Sequence, residues 1–318
     1  MRIGILSRAP RCYSTSRLRR AATSRGHRAR VLDVLQFAIC LDQGGAHLYY
    51  RNKPAPRLDA IIPRVGTGMT SFGTAVMRHY ESLGVRCVNS AKAFANARDK
   101  LRALQILAGH GLAVPHTECV RSVTQVESAV ARVGGPPVVV KLIEGAQGVG
   151  VMLAQTVEEA ATLVAAFRTA RQDVLIQEFV HDSRGRDIRA LVVGDKVMAA
   201  MRRLARGSEF RCNVHRGAYT EPVVLDRLYE KAALEATQAL ELRVAGADLL
   251  ETPRGPLVTE VNASPGLEGI EKTVGADVAG AIVDELLREG GRATPPSAEG
   301  SRRPVRGREP LGPITPSA

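Results

Sequence analysis

The chain has 318 residues, 45% hydrophobic content and a formal net charge of +12, which is length enough for two or three domains with real cores. No apolar run approaches the roughly 20 residues that span a bilayer, and the opening Met1-Arg-Ile-Gly-Ile-Leu-Ser7 is too short in its apolar part for a signal peptide. Residues 1–30 hold nine arginines and no acid, residues 292–318 five arginines and two glutamates, and residues 31–291 balance to zero. That excludes a uniformly basic nucleic-acid-binding core, although the ends could attract an acidic partner or RNA.

In chain order, Ile3–Leu6 reads as a strand, Thr15–Thr23 as a helix, and Ala29–Leu32 and Ala60–Ile62 as strands. Met69–Leu83 reads as a helix ending at Gly84, with strand Arg86–Val88 behind it. This predicts an open, largely parallel α/β unit over residues 1–95. It has no G-x-G-x-x-G fingerprint, so it is not read as a dinucleotide site. Helices Ser90–Asn96 and Asp99–His110 follow. A new pattern then runs through strand His116–Val120, helix Val123–Val133, strand Val138–Leu142, strand Val149–Ala154, helix Val157–Ala170 and strand Val174–Phe179. Alternating strands Asp187–Val193 and Lys196–Arg203, helix Leu225–Leu240, a hairpin and helix Asp277–Arg288 complete a second unit, residues 96–290. Residues 291–318, with six prolines, read as a disordered tail.

The arginine-rich start is transit-peptide-like in composition, but its strand and helix pattern continues straight into a domain. The five cysteines (Cys12, Cys40, Cys87, Cys119, Cys212) are scattered and odd in number, so neither a zinc site nor a disulfide framework is indicated. A reducing, cytoplasmic compartment is expected. Seven lysines stand against 37 arginines, so each lysine invites a reading as a deliberate point charge.

The most informative stretch is Glu260-Val-Asn-Ala-Ser-Pro-Gly266 with Asp248 upstream. Val244–Leu250 and Pro256–Asn262 read as a hairpin turned by Thr252-Pro-Arg-Gly255. Glu260 and Asn262 share a face because strand side chains alternate. A three-residue loop would set Asp248 opposite Glu260. Three hard oxygen donors on one face suit Mg²⁺ or Mn²⁺ kept half-hydrated for nucleotide phosphates; the competing reading is an ordinary amphipathic hairpin.

Strand Val138–Leu142 carries Lys141 into a loop containing Gly145, Gln147, Gly148 and Gly150. Glycines let backbone N–H groups cradle phosphate oxygens while the lysine supplies charge. The spacing is not that of a Walker A loop. Gln177, Glu178 and Phe179 end a buried strand that could read an adenine edge. Asp187, Arg189, Arg202, Arg203, Arg211, Asn213, His215 and Arg216 gather polar and cationic groups. Making an acyl phosphate needs positive charge around phosphoryl and carboxylate oxygens, which makes Lys141, Arg203 and Arg216 the candidate catalytic cations. Asp99 would cap a helix and place Lys100 near its positive end.

Taken together, the chain resembles the ATP-grasp superfamily, and within it the RimK-type ribosomal protein S6–L-glutamate ligase family. The resemblance is carried by Arg98-Asp-Lys-Leu-Arg102, Pro137–Gly150, Asp187-Ile-Arg189, Phe210–Gly217, Glu260–Lys272 and Ile62-Pro-Arg-Val-Gly-Thr67, and covers roughly residues 1–290. It implies an α/β and α+β ATP-grasp fold, with an N-terminal pre-grasp parallel α/β domain and two lobes, divided near residue 180, that clamp ATP. It also implies that Lys100 and Lys141 touch ATP phosphates, that Glu178, Phe179 and Asp187 line the adenosine site, and that Arg211, Cys212 and Asn213 approach the nucleotide. Asp248, Glu260 and Asn262 would hold two Mg²⁺ or Mn²⁺ ions.

The implied reaction adds L-glutamate to the C-terminus of ribosomal protein S6 through an acyl phosphate, under a mobile lid at residues 145–150. The implied assembly is a homo-oligomer, a tetramer in several members. Cys212 departs from the small polar residue usual in the family, Ala200-Met-Arg-Arg-Leu204 differs in charge, and the tail is extra. Alternative readings are a ligase of the same fold that joins glutamate or a similar amino acid to a cofactor or an amino-group carrier protein, and a non-catalytic RNA- or ribosome-binding module.

Overall fold

The computed structural model describes residues 1–143, 150–207, 209–212 and 217–288. The N-terminal unit contains β1 (Arg2–Leu6), α1 (Tyr13–Ser24), β2 (Arg28–Leu32), β3 (Phe37–Asp42), β4 (Gly45–Tyr50), β5 (Lys53–Pro54), β6 (Ala60–Pro63), α2 (Thr70–Ser82) and β7 (Arg86–Cys87). Its parallel sheet has the order β2-β1-β6-β7. Ile3 and Ile5 enter one core and Leu6 another, as expected of a parallel strand covered on both faces. A Cβ at Gly4 would lie 2.5 Å from Leu58 Cδ1, so a larger residue there would displace that side chain.

The antiparallel β3-β4-β5 meander was not expected. Its signal was present in Asp42-Gln-Gly-Gly45 between two β-rich runs: Asp42 pairs with Gly45, and the Asp42 carboxylate accepts from the Gly44 amide at 2.7 Å.

Helices α3 (Ala91–Arg98) and α4 (Lys100–Gly109) lead out of this unit, capped by Ser90 and Asp99, whose side chains accept from the amides of Ala93 and Arg102. The first lobe follows, with β8 (Thr117–Val120), α5 (Val126–Arg132), β9 (Val138–Leu142), β10 (Val151–Ala154), α6 (Val157–Thr169) and β11 (Val174–Glu178). The helix expected over Val123–Val133 begins as a 3₁₀ turn, because Ser122 and Gln125 form a capping box there. The sheet order is β10-β9-β11-β8, and its core is separate from the other two.

The second lobe has β12 (Arg186–Val193), β13 (Lys196–Leu204), β14 (Tyr219–Pro222), α7 (Arg227–Ala239), β15 (Val244–Thr252), β16 (Gly255–Asn262), α8 (Glu268–Val274) and α9 (Val278–Leu287). Its sheet runs β14-β13-β12-β15-β16, all antiparallel. β14 and α8 were also missed, being short. Both remaining cores join this sheet to the N-terminal unit, so those two parts are fused by continuous apolar packing while the first lobe keeps its own centre.

Buried Asn89 rivets the junction. Its Nδ2 donates to Val244 O (2.8 Å) and Ala263 O (3.0 Å), and its Oδ1 accepts from the amides of Arg243 (2.9 Å) and Val244 (3.0 Å). Those four bonds exhaust its capacity.

The arginines of the first 30 residues are partly spent inside the molecule. Arg17 pairs with Glu271 and Asp277, Arg25 with Asp284, and Arg2 with Asp59. The basic start therefore ties the first strand and helix to acids elsewhere in the fold, which removes part of the charge expected to face a partner. No helix among the described residues is long and apolar enough to cross a membrane.

Candidate active site

One face of the second-lobe sheet changes character along its length. At one end Leu191, Val193 and Met201 pack with Leu267, Ile270 and Ile282. Further along β12, β13, β15 and β16 the same face carries Asp187, Arg189, Arg203, Asp248, Glu260 and Asn262, because cross-strand partners share a face. The register pairs Arg189 with Asp248, Asp187 with Arg203, Asp248 with Glu260 and Gly246 with Asn262.

The Asp248–Glu260 pairing was expected from a three-residue loop, but it arises differently. Thr252 pairs with Gly255 across a two-residue turn, and the register shifts between Asp248 and Leu249. Thr259 is the extra residue, and its hydroxyl donates to Asp248 O at 3.2 Å. Without that bulge the two-residue turn would set Asp248 opposite Thr259. The bulge thus brings the three oxygen donors into line.

Asp248 is 6% exposed and Arg203 3%. Arg189 grips Asp248 through two bonds of 2.7 and 2.6 Å, Arg203 grips Asp187 through two of 2.6 Å, and Arg203 also reaches Asp248 at 3.0 Å. Burial alone would raise the Asp248 carboxyl, but the two guanidiniums outweigh it and hold it below its ordinary value. Arg203 has both sides taken by carboxylates, and Asp187 is committed to Arg203. In this arrangement Arg203 orders the acids, and Asp187 belongs to the ion network.

Asn262 is set by a local turn, its Oδ1 accepting from the Ser264 amide at 2.9 Å. Glu260 is half-buried. A carboxylate oxygen has about two acceptor positions, and Asp248 has used three of its four. A hard divalent ion on this face would therefore draw on Glu260, Asn262 and the remaining Asp248 position, and the all-oxygen chemistry of that set fits Mg²⁺ or Mn²⁺.

Across from these acids, the first lobe presents Lys141. Its amine donates to Gln177 Oε1 at 2.5 Å, and Gln177 Nε2 donates to Thr117 Oγ1 at 2.7 Å. This chain crosses β9, β11 and β8 on the face opposite that lobe's core. Burial pushes the lysine down to about 8, resisted by the fields of Glu260 and Asp248 and assisted by Lys100. Lys100, at the start of α4, donates to Ile143 O at 3.4 Å, so it lies beside the end of β9, the strand that carries Lys141 into the Gly-rich loop.

Gln177 is 3% exposed, and its side chain is consumed by Lys141 and Thr117. At the end of β11 the Glu178 amide donates to His116 O at 2.9 Å. Phe179 meets His181 and Phe210 edge-on, with ring centroids 5.0 and 6.3 Å apart. Arg211 is held by Glu209 and donates to Val151 O at 3.2 Å, tying its segment to β10. The Cys212 thiol is buried, which pushes it up to about 12. Gly145, Gln147, Gly148, Asn213 and Arg216, with most of the expected lid and the tail, lie outside the described residues. Sequence reasoning named Arg189 without giving it a role and missed Thr117. The i, i+2 spacing of Asp187 and Arg189 would have placed both on the site face.

Comparison with known proteins identifies the family of both units. Residues 1–94 match the RimK PreATP-grasp domain and residues 97–286 the RimK-like ATP-grasp domain. A probable alpha-L-glutamate ligase of Rhodopirellula baltica is 53% identical over 286 residues, 90% of this chain and 71% of that one. A ribosomal protein bS6–L-glutamate ligase of Escherichia fergusonii is 45% identical over 295 residues, 93% of this chain and 97% of that one. Among solved structures, a RimK domain ATP-grasp protein from Sphaerobacter thermophilus superposes with a TM-score of 0.69 at 23% identity, covering 91% of this chain and all of that one. The ATP-grasp ligase PsnB with its minimal precursor gives 0.70 at 22%, covering 90% and 97%. At those identities the structural matches speak for the fold alone.

Proposed function

This chain belongs to the RimK family of ATP-grasp ligases and is an ATP-dependent glutamate ligase, and we propose that its acceptor is the C-terminal carboxylate of ribosomal protein bS6. The observation that carries the reading is the opposition of Lys141 to the acid face of Asp248, Glu260 and Asn262, with Lys100 beside it. The acceptor is named by the 45% identity to a bS6–L-glutamate ligase over nearly the whole of both chains.

In this reading the acceptor carboxylate takes the γ-phosphoryl group of ATP, giving an acyl phosphate and ADP. The glutamate amine attacks the acyl carbon, the tetrahedral intermediate expels phosphate, and an amide remains. Two Mg²⁺ or Mn²⁺ ions held by Asp248, Glu260 and Asn262 would neutralise charge on the phosphoryl oxygens. Lys141 and Lys100 hold phosphate oxygens from the other side. The Arg189–Asp248 and Arg203–Asp187 pairs keep the acid face in place, and Phe179 with the β11 terminus borders the adenosine.

We treat residues 1–95 as the pre-grasp unit and 96–290 as the ATP-grasp unit, divided near residue 180. The separate core of the first lobe supports a lobe able to close as a body and shield the acyl phosphate from water. A cytoplasmic homo-oligomer completes the reading.

The test is mass spectrometry of bS6 incubated with this protein, ATP, Mg²⁺ and glutamate. The expected result is mass steps of one glutamyl unit. ADP release that ignores bS6, or is unchanged by deleting its C-terminal tail, would refute the acceptor.

A further inference from the structure

The sheet of the pre-grasp unit has a topological switch point that the nucleotide site does not use. In the order β2-β1-β6-β7 the chain steps one way from β1 to β2 and the other way to β6. The carboxyl ends of β1 and β6 therefore form the switch point where open parallel sheets bind ligands. Arg64 stands immediately after β6. The loop that follows Asn262 closes over this edge: Arg64 Nη1 donates to Pro265 O at 2.7 Å, the Leu267 amide donates to Ser14 Oγ at 3.0 Å, and Asn89 holds Ala263 O.

Arg98, at the end of α3, joins Arg64 there. Its Nη2 donates to Val65 O at 2.5 Å, and its guanidinium lies 5.1 Å from the Phe94 ring centroid. Its buried Nε is the one buried side-chain nitrogen or oxygen among the described residues without a hydrogen-bond partner.

Both guanidiniums are answered only by neutral carbonyls and a ring. Among the described residues neither has a carboxylate within ion-pair distance, whereas Arg189 and Arg203 on the neighbouring sheet are each gripped by acids. Desolvation lowers Arg64 to about 10 and lowers Arg98 as well. Cys12 partly relieves Arg64 while Arg98 depresses it further, and Glu260 steadies Arg98. A guanidinium has five donors in a planar fork that matches a carboxylate. Two such forks, half-covered and without a paired carboxylate among the described residues, are arranged for an anion that arrives with substrate.

We propose that Arg64 and Arg98 form a substrate-carboxylate subsite at the β1/β6 switch point, which positions either the incoming glutamate or the acceptor tail against the phosphoryl-transfer site. This deepens the ligase reading and rests on it. The subsite makes the pre-grasp unit part of substrate selection, and it makes the Asn262–Leu267 loop the link between metal face and substrate.

The test is a comparison of full-length wild type with Arg64→Ala, Arg64→Lys and Arg98→Lys. Calorimetry with Mg²⁺ and a non-hydrolysable ATP analogue controls for folding and should match wild type within about twofold. Steady-state assays vary glutamate and a bS6 tail peptide separately. The expected result is a rise of about tenfold or more in one KM, the scale of a lost charge-assisted pair. Arg64→Lys should be impaired too, because the fork is lost though the charge remains. A rise for glutamate assigns the donor carboxylate, and a rise for the peptide assigns the acceptor. Unchanged values for both, or a loss confined to nucleotide affinity, overturn the subsite. Should wild type leave bS6 unmodified, the acceptor reading fails on its own. The subsite is then judged by titrating glutamate into the analogue-loaded proteins, where equal affinity in wild type and Arg64→Ala, or none in wild type, overturns it.

Discussion

Replacing Lys141 with methionine should stabilise the protein without nucleotide and abolish its response to nucleotide. Burial lowers this amine from 10.5 to about 8, which corresponds to about 3 kcal/mol of destabilisation carried by the charged form at neutral pH. Methionine keeps the volume and removes the charge. It also takes away the donor to Gln177 Oε1, a buried acceptor whose loss costs about 1 kcal/mol. A net gain of about 2 kcal/mol remains.

The pH dependence has a defined sign. Between the folded value of about 8 and the unfolded value near 10.5, the unfolded chain binds more protons, so wild-type stability rises with pH across that window and is penalised in full below it. The difference between wild type and Lys141→Met should therefore be constant below pH 8, shrink above it and reverse before pH 10.5, where mainly the lost hydrogen bond to Gln177 remains. Urea unfolding across pH, with and without a Mg²⁺-bound ATP analogue, measures both effects. At a hundredfold excess over Kd the analogue should add about 2.7 kcal/mol to wild type and nothing to the variant. A variant that is less stable than wild type at pH 7 and still protected by nucleotide would refute both the desolvation account and the phosphate role of Lys141.

Three further outcomes are expected. Glu260→Gln should change stability without ligand by less than about 1 kcal/mol while removing the Mg²⁺-dependent part of the nucleotide-induced shift in Tm; an intact Mg²⁺ response would sink the metal assignment. Asn89→Ala breaks four buried hydrogen bonds between the pre-grasp edge and the β15 and β16 ends. It should cost about 3 kcal/mol in denaturant unfolding, and a loss under 1 would mean the rivet is replaceable by water. In timed thiol labelling at pH 8, exposed Cys12 and Cys40 should react first. Buried Cys212, pushed up to about 12, and Cys87, pushed well up by burial, should lag by orders of magnitude until denaturant is added.

The sequence by itself determined the fold class, most of the element order and the shared strand face of Glu260 and Asn262. Hydrophobic periodicity, glycine turns and the Glu260-x-Asn262 spacing are local signals, and local signals survive in one dimension. It also separated the lysines from the arginines by scarcity. The β3–β4 hairpin was legible in its Gly-Gly turn and was overlooked, while β14 and α8 were too short for periodicity to declare them.

Only the tertiary structure decided how the charges are spent. The pairing of Arg189 with Asp248 and of Arg203 with Asp187 depends on the register of β12 against β15 and β13, and the pairing of Asp248 with Glu260 turns on one bulged residue, Thr259, that no composition or spacing announces. Arg64 and Arg98 come from the end of β6 and from α3, and what sets them apart from Arg189 and Arg203 is partial burial without a paired acid, a property that exists only once the chain has packed. Ion pairing and desolvation are set by distances between segments far apart in sequence, so they had to wait for the fold.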